Sequence, residues 1–176
     1  EVGGVQFNND GTKMFVRFFR DEGGETDYSF IDEYNLSIPF DASSGTYAGD
    51  DERCEINHGL TGTIGHQPFD FHFTNDGMHF YFANRKPSGG PDNNTIIRFD
   101  LTVAFDISTC SYSQRTRDLL TDANRNSSRA GDDELLSDNA SNNRAMGVSL
   151  SNDGKKMFVM HFMGQLLEFD LSIPYD

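Results

Sequence analysis

Residues Ser149 to Phe162 read SLSNDGKKMFVMHF, and residues Gln6 to Phe19 read QFNNDGTKMFVRFF. A third version, HFTNDGMHFYF, runs from His72 to Phe82. The copies make Asp10, Asp76 and Asp153 equivalent. A second phrase follows each copy: YNLSIPFDAS from Tyr34, FDLTVAFDIS from Phe99 and FDLSIPYD from Phe169. It aligns Leu36, Leu101 and Leu171, which keep nearly the spacing of the three aspartates. Two phrases recurring in one order at similar distances mark an internal repeat.

Each phrase has a physical translation. Val5 and Phe7, then Phe69, Phe71 and Phe73, then Val148 and Leu150 alternate with polar residues, the period of a half-buried strand. The Asn-Asp-Gly that follows predicts a hairpin turn, with Gly11, Gly77 and Gly154 supplying positive φ. A return strand passes through Met14 to Val16, Phe80 to Phe82 and Met157 to Val159. A third strand ends in the second phrase, where Pro39 and Pro174 stop pairing because they carry no donor. The stretches GTYAGDDERCEIN and CSYSQRTRDLL supply material for a fourth.

Three units of four antiparallel strands predict an all-β chain of blade-like repeats. The expected limits are residues 1–66 for repeat 1, 67–145 for repeat 2 and 146–176 for an incomplete repeat 3. Repeat 2 carries a polar, acidic loop insertion at about 113–143, dense in Asp, Asn, Ser and Arg. The stretches F-x-x-N-D-G-x-x-M-F-V and I-x-x-Y-x-L-S-x-P-F-D resemble the blade repeats of bacterial and phage-type β-propellers related to the YVTN and TolB-like groups, which are WD40-like. That resemblance covers nearly the whole chain outside the insertion and implies a partial propeller, since closed propellers have typically 4 to 8 blades. Because repeat 3 lacks sequence for a fourth strand, its edge is expected to be completed from outside this segment, by the remainder of a longer chain or by a neighbouring subunit. A heterologous contact of that kind builds a ring when it closes and a filament when it does not.

Composition limits the partners. There are 14 basic against 28 acidic residues, a formal charge of −14 that repels phosphate backbones and anionic bilayers, so nucleic acid is not expected as a partner. No apolar run approaches the roughly 18 residues of a membrane helix, and no membrane insertion is expected. Cys54 and Cys110 have no metal-ligand spacing around them, which leaves two readings: free buried thiols, or, favoured by the even count, one disulfide in or beside the outer strands of neighbouring blades. With the acidity, that favours an extracellular, cell-surface or virion-surface setting.

The recurring Asp10, Asp76 and Asp153, with their glycines, read as structural parts of turns, because a residue present in every repeat serves the repeat. The phrase AGDDE occurs twice and offers hard oxygen donors of the kind Ca²⁺ takes: Asp50, Asp51 and Glu52, then Asp132, Asp133 and Glu134. They lack the spaced pattern of a calcium-binding loop, so a solvated charge run is the simpler reading. Four of the five histidines, His58, His66, His72 and His79, lie close together in the chain, the fifth being His161, and none makes an H-E-x-x-H pair. Neither G-x-S-x-G nor a Gly-rich phosphate loop is present, and no catalytic residue is assigned. Sequons at Asn93, Asn126 and Asn139 lie in expected loops, where a glycan fits.

The expected function is therefore a non-enzymatic extracellular or surface module for binding, adhesion or structural assembly, with protein as partner through self-assembly or the remainder of a longer chain. The alternatives are a piece of a propeller enzyme of the lactonase or hydrolase kind, drawing on His72 or Asp70, and a lectin-like carbohydrate-binding propeller. Aromatic residues at 12% favour the lectin; the absence of Trp argues against it.

Overall fold

The first repeat folds into β1 (Val2–Phe7), β2 (Lys13–Arg20) and β3 (Tyr28–Leu36), joined antiparallel in chain order. The structure, a computed structural model, describes residues 2–20, 28–56, 70–84, 95–115, 125–127, 145–161 and 166–175. Two short strands, β4 (Gly45–Tyr47) and β5 (Arg53–Glu55), pair with successive parts of β3 and finish sheet A. Sheet B follows as β6 (Phe71–Phe73), β7 (His79–Asn84), β8 (Thr95–Asp100) and β9 (Ser111–Arg115), again in chain order. Sheet C contains β10 (Arg125–Ser127), β11 (Ala145–Leu150), β12 (Lys156–His161) and β13 (Leu166–Asp170) in the order β10-β13-β12-β11. Among the described residues the fold is thus predominantly β, with three antiparallel sheets, none of them closed on itself.

Sheet C corrects one expectation. Its outer strand comes from inside the chain, because Arg125 to Ser127 pair with Phe169 to Leu167 and satisfy the edge of β13. Repeat 3 is therefore complete at four strands, and the fourth lies within the stretch read as a loop insertion. Asn126 sits in this strand rather than in a loop. The reason is the cost of an unpaired edge: three residues lacking any apolar alternation are recruited because β13 offers a row of unmet donors and acceptors.

The two recurring phrases recur together because they are one structure. Gly11, Gly77 and Gly154 take φ of 72°, 69° and 68°. Phe40, Phe105 and Tyr175, the aromatics of the second phrase, take φ of 61°, 55° and 62°, a region costly to side chains. Each aromatic amide donates to the carbonyl of its partner glycine: Phe40 to Gly11 at 3.0 Å, Phe105 to Gly77 at 2.9 Å, Tyr175 to Gly154 at 2.8 Å. The ring then lies over the glycine, where a Cβ would overlap it. Leu36, Leu101 and Leu171 add the next rung, donating to Thr12, Met78 and Lys155 at 2.7, 2.8 and 2.8 Å. The strain of an aromatic at positive φ is offset by ring packing and these bonds.

Period-two alternation lets sheet B bury both of its faces. Phe80, Phe82, Ile97 and Phe99 pack toward sheet A with Phe15, Ile31, Ile56, Phe71, Phe73 and Ile107. Tyr81, Ala83 and Ile96 pack toward sheet C with Ala145, Val148, Leu150, Met157, Val159, Leu167 and Phe169. Each fully buried Phe or Ile contributes roughly 1.5 to 3 kcal/mol. The first strands of the three sheets meet through β6, which lies beside both β1 and β11. Gly4, Asp70 and Gly147 are equivalent residues on or just before these strands, and the two glycines leave the room in which Asp70 sits.

Cys54 on β5 and Cys110, just before β9, form a disulfide with Cα atoms 5.9 Å apart, cross-linking the outer parts of sheets A and B. A structural disulfide points to a non-cytoplasmic setting. No helix among the described residues is long and apolar enough to cross a membrane.

Candidate functional site

The three first turns sit at the same end of three adjacent sheets, so their tips converge. Asn9, Asn75 and Asn152 are equivalent residues at these tips, and all three line one cleft of about 170 Å³. Gln6, His72, Thr74 and Ser151 supply further polar groups, while Phe7, Phe73, Phe105, Leu150 and Tyr175 supply apolar walls. The cleft therefore draws on every sheet. Asn9 Nδ2 donates to the Asn75 carbonyl at 2.7 Å and ties the first two tips together.

The turn aspartates hold these tips rigid and do not enter the cleft. Asp10 Oδ1 accepts from the Thr12 amide at 3.0 Å and its hydroxyl at 2.6 Å. Asp76 Oδ1 accepts from Thr74 Oγ1 and Met78 N, and Asp153 Oδ1 from Ser151 Oγ and Lys155 N. Hydrogen bonds to the Thr12 side chain and backbone hold the Asp10 carboxyl below the usual aspartate range, and those from Ser151 and Lys155 do the same for Asp153. Asp41 and Asp106, one residue beyond the aromatics, cap short 3-10 turns by accepting from Ser43 N and Ser108 N. The recurring aspartates are thus occupied with backbone amides and neighbouring hydroxyls.

Among the described residues, no Asp, Glu, Lys or Arg lines the cleft, although the chain carries 28 acidic residues. His72 brings an imidazole to it, and burial pushes its pKa down while Asp70 opposes that. Burial likewise raises the pKa of Asp70, against a hydrogen bond from the Phe71 amide and the charges of His72 and Arg17. The Arg17 side chain is 1% exposed, its guanidinium 4.9 Å from the Phe82 ring centre, with Nε and Nη2 donating to Ser29 Oγ at 3.3 and 3.2 Å. Burial pushes the guanidinium pKa down to about 9, and Asp70 pulls it back. With a pKa of about 9, Arg17 keeps its proton at neutral pH.

The other residues singled out from sequence fall elsewhere. Asp50, Asp51 and Glu52 form a 3-10 turn, and Asp50 is engaged by Tyr47 Oη at 2.6 Å and Arg53 Nη2 at 3.2 Å. Asp132, Asp133, Glu134, Asn93, Asn139, His58 and His66 lie outside the described residues. For Asn126 and His161 only the backbone is described. Among the described residues, no group of three or more His, Cys, Asp or Glu is arranged to hold a metal ion. His79 Nδ1 lies 2.8 Å from Asp100 Oδ1, in a cluster with Arg98 Nε at 2.7 Å from the same oxygen.

Sequence reasoning passed over the cleft residues Gln6, Asn9, Asn75, Ser151 and Asn152. For the three asparagines a signal was present: an Asn stands before the turn Asp in all three copies, where the turn itself needs only the Asp and the Gly. No protein-family model matches the chain, and no curated protein matches it.

Proposed function

We propose that this chain is a non-enzymatic, extracellular or surface module of the β-propeller type, and that its work is binding an uncharged, polyhydroxylated ligand such as carbohydrate at the cleft between the three turns. The observation that carries this reading is the chemistry of the lining. Asn9, Asn75 and Asn152, with Gln6 and Ser151, present neutral donors and acceptors, and Phe105 and Tyr175 add ring surface. Amides and hydroxyls match hydroxyl groups in both directions, and rings cover the apolar face of a sugar. Among the described lining residues a charged ligand finds no counter-charge.

A glycan array followed by calorimetry tests it. Neutral oligosaccharides are expected to bind, and Asn75→Ala is expected to weaken them about tenfold, the cost of one lost hydrogen bond of roughly 1.4 kcal/mol. The tie between Asn9 and the Asn75 carbonyl survives that change, since it uses the backbone. An array without neutral glycan hits overturns the reading. A second reading, an enzyme of the lactonase kind, draws on His72 in the cleft, whose pKa burial lowers against the charge of Asp70. Turnover of an ester or lactone that is lost in His72→Ala selects it.

A further inference from the structure

We propose that the outer face of sheet C docks onto the outer face of sheet A in a second copy of this chain, head to tail. This rests on the equivalence of the repeats and on nothing about the cleft. Its failure and the failure of the carbohydrate reading are therefore separate results.

Within the chain, each seam joins two particular faces. The face that sheet A turns toward B carries Phe15, Arg17 and Ile31, all buried, and its counterpart on sheet B, turned toward C, carries Tyr81, Ala83 and Ile96, also buried. On sheet C the same positions are Phe158, Met160 and Leu166, and there Phe158 is half-buried while Met160 and Leu166 are 56% and 42% exposed. A face covered twice in the molecule is open the third time.

The complementary face shows the same pattern in reverse. Phe71 and Phe80 of sheet B, like Val148 and Met157 of sheet C, are buried against the preceding sheet. Their equivalents on sheet A are Val5, which is 45% exposed, and the half-buried Met14. The aromatic turns agree: Phe105 and Tyr175 are partly covered by the preceding sheet, whereas Phe40 is 59% exposed. In the A–B seam the Phe105 ring stacks 6.5 Å from Phe15, so Phe158 is placed to do the same to Phe40.

Polar groups repeat the match. Lys13 Nζ donates to the Phe105 carbonyl at 3.2 Å across the first seam, and Arg98 Nη1, with Tyr81 Oη, donates to the Tyr175 carbonyl across the second. Lys156 occupies the position of Lys13 on the open face of sheet C, paired with Glu168 and Asp170 as Lys13 is with Glu33. It is the cation that meets the Phe40 carbonyl of the second copy. A contact between two different faces is heterologous and propagates or closes.

Sedimentation tests this at about 0.15 M salt, where repulsion between two chains of charge −14 is screened beyond about 8 Å. The wild type is expected to run at twice 19.7 kDa or more. Met160→Asp blocks one end and Val5→Asp the other, so each alone is expected at the monomer mass with an unchanged circular dichroism spectrum. Lys156→Glu serves in place of Met160→Asp should that variant unfold. An equimolar mixture of the two blocked variants keeps one intact pair of faces and is expected to recover the dimer mass. A wild type that stays monomeric overturns the proposal, and so does self-association that the mixture fails to restore, since that identifies a face docking on its own kind.

Discussion

The two seams of the molecule solve one geometric problem with different chemistry. Between sheets A and B the packing is aromatic, with Phe15 and Phe73 rings 4.8 Å apart and Phe80 and Phe99 stacked at 5.0 Å, and the Cys54–Cys110 bond locks the periphery. Between sheets B and C the packing is mostly aliphatic and carries no disulfide. Its polar anchor is the Tyr175 carbonyl, which receives Arg98 and Tyr81. The two seams nevertheless share one arrangement. Both seams receive an aromatic turn seated on a glycine of its own hairpin, and both hold that turn's carbonyl from the preceding sheet. Side-chain volume is free to vary around this seat provided the seam stays filled.

The sharpest way to break the comparison is to remove the cross-link from the first seam. Replacing both Cys54 and Cys110 with Ala opens a long loop in the unfolded chain and is expected to cost about 4 kcal/mol in the chain-entropy model. Urea denaturation of the wild type and the variant checks the magnitude. Hydrogen exchange is expected to show faster opening at β5 and β9 with little change at β12 and β13. Equal loss of protection in both seams means that the sheets do not open separately.

A smaller effect tests the shared seat. Gly154→Val forces a β-branched residue to φ near 68° and drives its Cβ into the Tyr175 ring, at an expected cost of roughly 1 to 3 kcal/mol. Gly77→Val does the same under Phe105. Similar losses from the two, by thermal or urea melting, mean that the seat and not the seam chemistry positions each sheet. A neutral Gly154→Val variant removes that explanation.

The smallest effect concerns acid. The folded pKa values of Asp10 and Asp153 lie below the usual aspartate range because neighbouring side chains and amides donate to the carboxylates. Their stabilising contribution is therefore complete above the unfolded pKa and is lost as pH falls through the lower folded values. Melting temperature followed from about pH 5 down to about pH 2 is expected to fall less steeply in Asp10→Asn/Asp153→Asn than in the wild type. An unchanged acid limb shows that these turn bonds carry no pH-dependent stability.

The architecture was legible where local rules act alone. Period-two alternation located the strands, and Asn-Asp-Gly located the turns, since glycine reaches positive φ without a Cβ clash. The cysteine pairing was legible from an even count. The Phe40, Phe105 and Tyr175 conformation was not, because nothing in the propensity of an aromatic residue suggests the left-handed region. Tertiary packing on a glycine decides it. The cleft was half legible: the asparagines are visible in the repeat, but a list of residues does not say that three turn tips meet.

What the sequence determined by itself is the repetition, the first three strands and the first turn of each repeat, and the alternation that gives those strands two chemically distinct sides. Only the tertiary structure decided three further things. It recruited Arg125 to Ser127, without any strand pattern, to the edge of β13. It placed Asp70 between two glycines far away in the chain, where the charge of the buried Arg17 acts on it. It also left one face of sheet A and one of sheet C open. The reason is common to all three. Local sequence sets the conformation of a strand, but hydrogen-bond satisfaction at an edge, charge balance in a core and coverage of an apolar face depend on which distant segments meet.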